Sequence, residues 1–389
     1  DPDDIDTSHI YAGGGRSVGT YSAIYSDQQG YDLVNTNTLK ISPKKLTATL
    51  TGKTGNTYAF TKAYDGTDSV TKNLVLGTTY TFGDQVISGD TVSIDAAKAV
   101  GAYAGKNVGD DKTISYNGIT LTGADAGNYT IDGTLSGNVG QITKKDITAS
   151  LNGSYVFTKT YDGNTDVKQA LGNNYSFATG DVEKGDKVSL TAGVGAYTDK
   201  NVGDTKEITF GNLVLGGDAA GNYNLTTESL TGNVGQITTK ELTITLAGNN
   251  TFTKEYDGTA TVNQALAGNY TISGIVGTEK VDIDSAGVSG TYADKNAADG
   301  KLVQFTVSGL TGADKGNYSL TSTTLTGNVG KITPKALIAT LTGDNVFTKV
   351  YDGTTDVTQT LTQGTNYTLD GIMADRDKVL LSAGSGPYN

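Results

Sequence analysis

The chain has 389 residues, 41 acidic against 29 basic, a formal net charge of −12, a single histidine and neither cysteine nor tryptophan. Without cysteine there is no disulfide, thiolate nucleophile or Cys-ligated zinc, and a lone His9 is too little for a Ser-His-Asp site or a His-based metal cluster. The acidic balance opposes a nucleic-acid or anionic-membrane partner, and no run reaches the roughly 18 apolar residues of a membrane-spanning helix.

In chain order, residues 1–45 open acidic and carry no apolar segment of the kind found in a secretory signal, as expected of a mature fragment or an internal slice. They end in GYDLVNTNTLKISPKK, which aligns with GNYSLTSTTLTGNVGKITPK later in the chain, and read as the back half of a diverged unit. Three full copies follow at 46–145, 146–240 and 241–335, with a truncated fourth at 336–389. Each copy carries FTKxYDG, starting at Phe60, Phe157, Phe252 and Phe347, with the tyrosines 97, 95 and 95 residues apart. GNY recurs at Gly127, Gly221 and Gly316, and GNVGQIT or GNVGKIT at Gly137, Gly232 and Gly327. A period this long matches an independent small domain rather than a solenoid turn.

Within a copy, runs such as ELTITL, NTFTKEY, KVDIDSAGV, LVQFTVSGL and NYSLTSTTL are short, rich in Thr, Val, Ile, Leu and Tyr, and separated by Gly, Asn or Asp turns. Seven or eight such strands predict an all-β, all-antiparallel Greek-key (immunoglobulin-like) sandwich. DAGNY (Asp125 to Tyr129) and DKGNY (Asp314 to Tyr318) suggest a tyrosine corner, with Tyr129, Tyr223 and Tyr318 as its phenols; in the second copy Asp218 sits one place early. The joins GQITKKDITASL, GQITTKELTITL and GKITPKALIATL leave only about four residues between strands, so a stiff rod with roughly 30 Å per unit is expected.

The recurring residues are Lys62, Tyr64, Asp65 and Gly66; Lys159, Tyr161, Asp162 and Gly163; Lys254, Tyr256, Asp257 and Gly258; and Lys349, Tyr351, Asp352 and Gly353. Strand alternation puts Phe, Lys and Tyr on one face. The lysine is expected at a strand end, its stem on tyrosine and its head near a carboxylate. The sharper alternative is a Lys–Asn isopeptide cross-link with Asn128, Asn222 or Asn317. Asp-Gly reads as a turn, because glycine permits positive φ. Recurrent acids at Asp90, Asp186, Glu279 and Asp377 leave a structural Ca2+ open, but the second turn acid, Asp166 and Asp356, is Ser69 and Thr261 in the other copies. Asn128, Asn174, Asn269, Asn317 and Asn366 fit the glycosylation pattern, though asparagine before a strand tyrosine also suits a turn.

TKxYDGxT, the GNY strand and the GxITPK-like join together resemble the YDG-type repeats, and the related MBG-type repeats, of giant bacterial surface proteins. Filamentous-haemagglutinin-like adhesins secreted by the two-partner route are among these. HIYAGGGRSVGTYSAIY, in residues 1–45, looks more MBG-like. The resemblance implies a secreted, cell-surface β-sandwich array of a Gram-negative bacterium, serving attachment or biofilm cohesion, with no catalytic or cofactor-binding residues. A structural stalk is therefore expected, not an enzyme, with other repeats of the parent chain as partners. The rival expectation is that the repeats themselves bind surface glycans or exopolysaccharide through their tyrosines, or associate head to tail by strand complementation between 339–389 and 1–45.

Overall fold

The computed structural model describes residues 10–12, 15–22, 24–26, 38–343, 347–357, 359–373 and 377–381. His9, most of GYDLVNTNTLK and the closing AGSGPYN lie outside them. Among the described residues the regular structure is β-strand, with 3-10 turns at Gly83–Gln85, Ala126–Asn128, Ala220–Asn222 and Lys315–Asn317. The chain divides into two compact units, Asp1–Tyr155 with Ala170–Gly195 and Thr209–Gly232, and Val156–Gln169 with Ala196–Ile208 and Asn233–Asn389.

The first unit holds the whole first copy. Its four-stranded sheet runs in the order Val100–Tyr103, Gly109–Asn117, Thr134–Thr143, Phe60–Ala63. The first two contacts are antiparallel and the last is parallel. Lys44–Leu46 pairs in parallel with Tyr129–Ile131. The second copy repeats this pair as Lys145–Ile147 with Tyr223–Leu225. Leu46, Phe60, Ile114, Ile142, Ile147 and Tyr223 all belong to one buried cluster here.

The second unit holds the third copy, where Phe252–Glu255, Thr324–Thr333, Ala298–Thr306 and Ser289–Tyr292 form the equivalent sheet. Lys240–Leu246 pairs in parallel with Tyr318–Leu320 and antiparallel with Tyr270–Ser273. Phe252, Val303, Phe305, Leu325 and Ile332 are buried together in its core. Phe157–Thr160 runs parallel to residues 235–238 in the same unit.

The all-β expectation holds; the all-antiparallel one does not. The FTKxY strand lies parallel to the closing GxIT strand in all three full copies. A parallel pair needs a long crossover, and most of the copy intervenes between the two strands. The closing strand then takes an antiparallel partner on one edge and FTKxY on the other. Two of the three joins are tighter than expected, while the third keeps four residues between Thr324–Thr333 and Ile338–Leu341. Only Lys144 separates Thr134–Thr143 from Lys145–Ile147, and only Thr239 separates Leu230–Thr238 from Lys240–Leu246. A single residue leaves no independent linker.

Candidate functional site: the joint between repeats

Alternation sets the motif up as expected: Phe157 and Lys159 are buried while Thr158 and Thr160 are exposed, and Tyr161 is only 1% exposed. From there the lysine and the tyrosine go separate ways.

The lysine and aspartate close on their own copy. Lys159 Nζ donates to Asp162 Oδ1 at 2.7 Å and to the Asn164 backbone and side-chain oxygens at 2.7 and 2.9 Å. Lys254 makes the same set with Asp257 and Thr259, as do Lys62 with Asp65 and Thr67 and Lys349 with Asp352 and Thr354. The aspartate also accepts the backbone N–H two residues on, at 2.9 Å for Thr67, Thr259 and Thr354. One carboxylate thus folds the turn and neutralises a nearly buried ammonium, which would otherwise carry a large desolvation cost. The ring under the lysine is not the motif's own tyrosine. Lys62, Lys159 and Lys254 lie 5.5, 5.4 and 5.5 Å from the ring centroids of Tyr103, Tyr197 and Tyr292.

The tyrosine reaches the following copy. In the first unit, Tyr64 donates to Asp186 Oδ2 at 2.6 Å, Tyr223 donates to the same oxygen at 2.7 Å, and Lys106 Nζ donates to Oδ1 at 3.0 Å. The two rings stand edge to face with centroids 5.4 Å apart. In the second unit, Tyr161 and Lys200 donate to Glu279 Oε1 and Tyr318 to Oε2, with the rings again 5.4 Å apart. The GNY asparagine adds a backbone lock. Val108 N donates to Asn222 Oδ1 and Val202 N to Asn317 Oδ1, both at 2.9 Å, and each asparagine amide donates to Asn107 or Asn201. A variant occurs before the first full copy, where Val18 N meets Asn128, Tyr129 donates to Asp90, and Arg16 occupies the position of the lysine.

The motif glycine is required twice over. Gly163 has φ +82, and a Cβ there would lie 2.7 Å from Val276 Cγ1 in the next copy. Only glycine adopts that backbone without strain while letting the neighbour approach so closely.

The joints form a tyrosine–carboxylate–lysine network of low exposure, the Asp186 and Glu279 side chains being 6% and 12% accessible. Burial by itself raises the Asp186 pKa, but hydrogen bonds from Tyr64, Tyr223 and Lys106 outweigh it and hold the carboxyl below its ordinary value. Glu279 is depressed by the same balance of burial against bonds from Lys200, Tyr161 and Tyr318. The phenols move the other way. Burial, then the bond to Glu279, pushes Tyr318 up to about 12, and Tyr64 and Tyr161 are raised for the same reasons. Each group thus keeps the protonation state the joint uses across neutral pH.

The structure therefore separates the sequence-predicted residues into two sets. Lys, Asp and Gly of YDG come together as a local turn in all four copies. Tyr64, Tyr161 and Tyr256 meet the recurrent acids Asp186, Glu279 and Asp377 of the following copy, the last at 2.6 Å. The same acids had left a Ca2+ site open; here they accept phenols and ammonium groups. Among the described residues no three or more His, Cys, Asp or Glu gather as a metal site. The Lys–Asn pairs are not brought together, because the lysine head is held by Asp and Thr or Asn while Asn222 and Asn317 engage the preceding KN-V segment. The tyrosine corner is met in part: Tyr129, Tyr223 and Tyr318 each accept a backbone N–H, from Ile87, Glu183 and Val276, but 40 to 42 residues upstream, and each also donates to an acid, Asp90, Asp186 or Glu279, while the Asp of DxGNY accepts a backbone N–H, from Thr91 for Asp125 and from Lys280 for Asp314. Sequence reading missed the joint lysines Lys106, Lys200 and Lys295 and the asparagines Asn107 and Asn201 beside the first two. Their signal was present as KNVGD at Lys106 and Lys200 and KNAAD at Lys295, which share the repeat spacing.

Fold and joint together define a tandem-repeat protein of β domains whose successive copies are locked through one recurring network. The YDG domain matches residues 42–137, 143–230 and 238–325, more than half of the sequence, and the chain belongs to the YDG-domain family. No curated protein matches it, and neither does any solved structure.

Proposed function

We propose that the chain is a structural stalk segment of a large secreted adhesin on a Gram-negative bacterial surface, supporting attachment or biofilm cohesion. The joint carries this reading. The motif's tyrosine and glycine are engaged in fixing one copy to the next, as a mechanical spacer requires, and two of the joins are a single residue long. The tyrosines speak against the repeats being a lectin surface. Tyr64, Tyr80, Tyr103, Tyr116, Tyr161 and Tyr223 are each less than 5% exposed, so these rings cannot stack on a sugar face. The recurrent carboxylates are tied to lysines and phenols within joints, an arrangement suited to cohesion and not to a pair of acids across a cleft.

Two measurements test the proposal. Antibody against the repeats should label intact cells of the producing bacterium; labelling only after permeabilisation would contradict a surface role. A glycan array probed with the full chain should stay blank; reproducible sub-millimolar binding would replace the stalk with a lectin.

A further inference from the structure

We propose that the third copy carries a binding pocket for a small monocyclic phenol, a group that the first copy supplies to the same place from its own core. The pocket encloses about 340 Å3 within the second compact unit, between Val262, Leu266, Tyr270, Ile283 and Phe305. Val262, Leu266, Ile283 and Phe305 belong to the buried core, while the exposed Gln264 and Ser289 edge the opening. Apolar walls with a few polar groups are the usual form of a small-ligand site, and a cavity of about 150 Å3 already holds benzene. Two differences from the sibling copies shape it. The first concerns a tyrosine. Tyr80 and Tyr175 accept the backbone N–H of Ile94 and Leu190 at 2.7 and 2.8 Å. The residue just before that N–H is Ser93 or Ser189 there, and Asp282 in the third copy. The Asp282 carboxylate takes over both groups: Ile283 N donates to its Oδ1 at 2.8 Å, and the Tyr270 phenol donates to the same oxygen. Tyr80 is 1% exposed, whereas Tyr270 is only partly buried and lines the pocket. An aspartate thus holds aside a ring that the first copy buries.

The second difference sets the ligand. Tyr116 faces Gly101 across the sheet and donates its phenol to the Lys72 carbonyl at 2.6 Å. Phe305 faces Gly290 in the same register, and a Cβ added at either glycine would meet the opposite ring, at 2.6 Å in the first copy and 2.5 Å in the third. The ring is therefore placed alike in both copies, but Phe305 has no hydroxyl to offer Gln264, the residue in the position of Lys72. Phe305 and Gln264 both line the pocket. A phenol entering over Phe305 finds apolar walls for its ring and the Gln264 carbonyl as acceptor for its hydroxyl, the bond that Tyr116 makes internally. The second copy also has a phenylalanine here, Phe210, but Tyr175 keeps its bond to the Leu190 N–H. Among the three full copies, only the third combines both differences.

Phenol binding is independent of the stalk role, since neither cell labelling nor the glycan array depends on it. The probe is 4-methylphenol, the tyrosine side chain cut free, titrated into the full chain and followed by isothermal calorimetry. Saturable binding to a single site is expected, with a dissociation constant below about 1 mM. Asp282→Ser restores the residue of the sibling copies, so that Tyr270 can return to the Ile283 N–H and close the pocket. Phe305→Tyr fills the phenol position from within. Each substitution should weaken binding about tenfold or more. Both introduce side chains that a neighbouring copy already carries at the same position, and circular dichroism checks that each variant is folded. The two substitutions change different walls, so misfolding of one leaves the other to decide. No saturable binding by the unaltered chain, or undiminished binding by either folded variant, overturns the proposal.

Discussion

The same tyrosine occupies three different environments in the second compact unit. Tyr161 faces a complete following copy, donates to Glu279, packs on Tyr318 and is 1% exposed. Tyr256 faces the fourth copy, keeps a carboxylate acceptor in Asp377, packs on no second tyrosine among the described residues, and is partly buried. Tyr351 has no following copy in this sequence and is 92% exposed. Yet the local half of the motif is unchanged: Lys349 still binds Asp352 at 2.9 Å and Thr354 beside it. Burial of the tyrosine thus follows the neighbour and not the motif's own copy. YDG is two devices in one phrase, a turn that folds its own strand end and a phenol that belongs to the next repeat.

That contrast can be broken most forcefully at the tyrosine. Tyr161→Ala should destabilise the chain by about 3 kcal/mol or more, the cost of removing a buried aromatic. Tyr351→Ala should stay within about 0.5 kcal/mol, as for an exposed side chain. Urea unfolding of both variants decides the matter, and equal losses would return the tyrosine to its own core.

The aspartate comes next. Sequence reading took Asp-Gly as a turn, and Asp162 also neutralises Lys159, whose side chain is 3% exposed. Asp162→Ala should cost about 2 kcal/mol, short of a wholly stranded buried charge because Asn164 retains two oxygens on the ammonium. A loss near zero in the same unfolding experiment would show that Lys159 relaxes into solvent.

The glycines sharpen the comparison further. Gly163 and Gly353 share a left-handed backbone, φ +82 and +74, but an added Cβ meets Val276 only at Gly163 and nothing within 4 Å at Gly353. Both alanine variants should show the left-handed strain of about 1 kcal/mol. Gly163→Ala should exceed Gly353→Ala by about another 1 kcal/mol for the steric conflict. Matching melting shifts would mean the neighbour yields freely.

Acid should loosen the filled joints by a smaller, graded amount. Asp186 and Glu279 have folded pKa values below their ordinary 3.8 and 4.5, so their contribution is complete above those ordinary values and is lost as pH falls through the depressed ones. The melting temperature should be level near neutrality and drop below about pH 4, with Glu279→Gln shallowing the drop. The raised phenols act in mirror image. Their contribution is complete below an ordinary 10.0 and is lost as pH climbs towards about 12 for Tyr318, which tyrosinate absorbance would follow.

Much of this was legible in the sequence. Period, strand content, the shared face of Phe, Lys and Tyr, the carboxylate near the lysine and the positive-φ glycine all follow from spacing and alternation, which are local properties. What was not legible is long-range. Nothing in FTKxYDG says that its phenol will cross to an acid more than 110 positions away, as Tyr64 does to Asp186. The recurrent acids were visible as a column, but a lone carboxylate column fits a metal, a turn or a joint equally well. The KN-V phrase would have tipped the balance, because a lysine and an asparagine recurring in step with those acids supply their partners. Parallel pairing escaped for a related reason, since alternation fixes which face a residue takes and leaves strand direction undetermined.

The most direct test of the central claim is a double-mutant cycle between Tyr161→Phe and Glu279→Gln in the full chain, measured by urea unfolding. A phenol that bonds the carboxylate of the following repeat predicts that the two losses fail to add, with a coupling of about 1 kcal/mol or more. Losses that add to within about 0.3 kcal/mol would show that the two residues act independently, and would contradict a joint built on the motif's tyrosine.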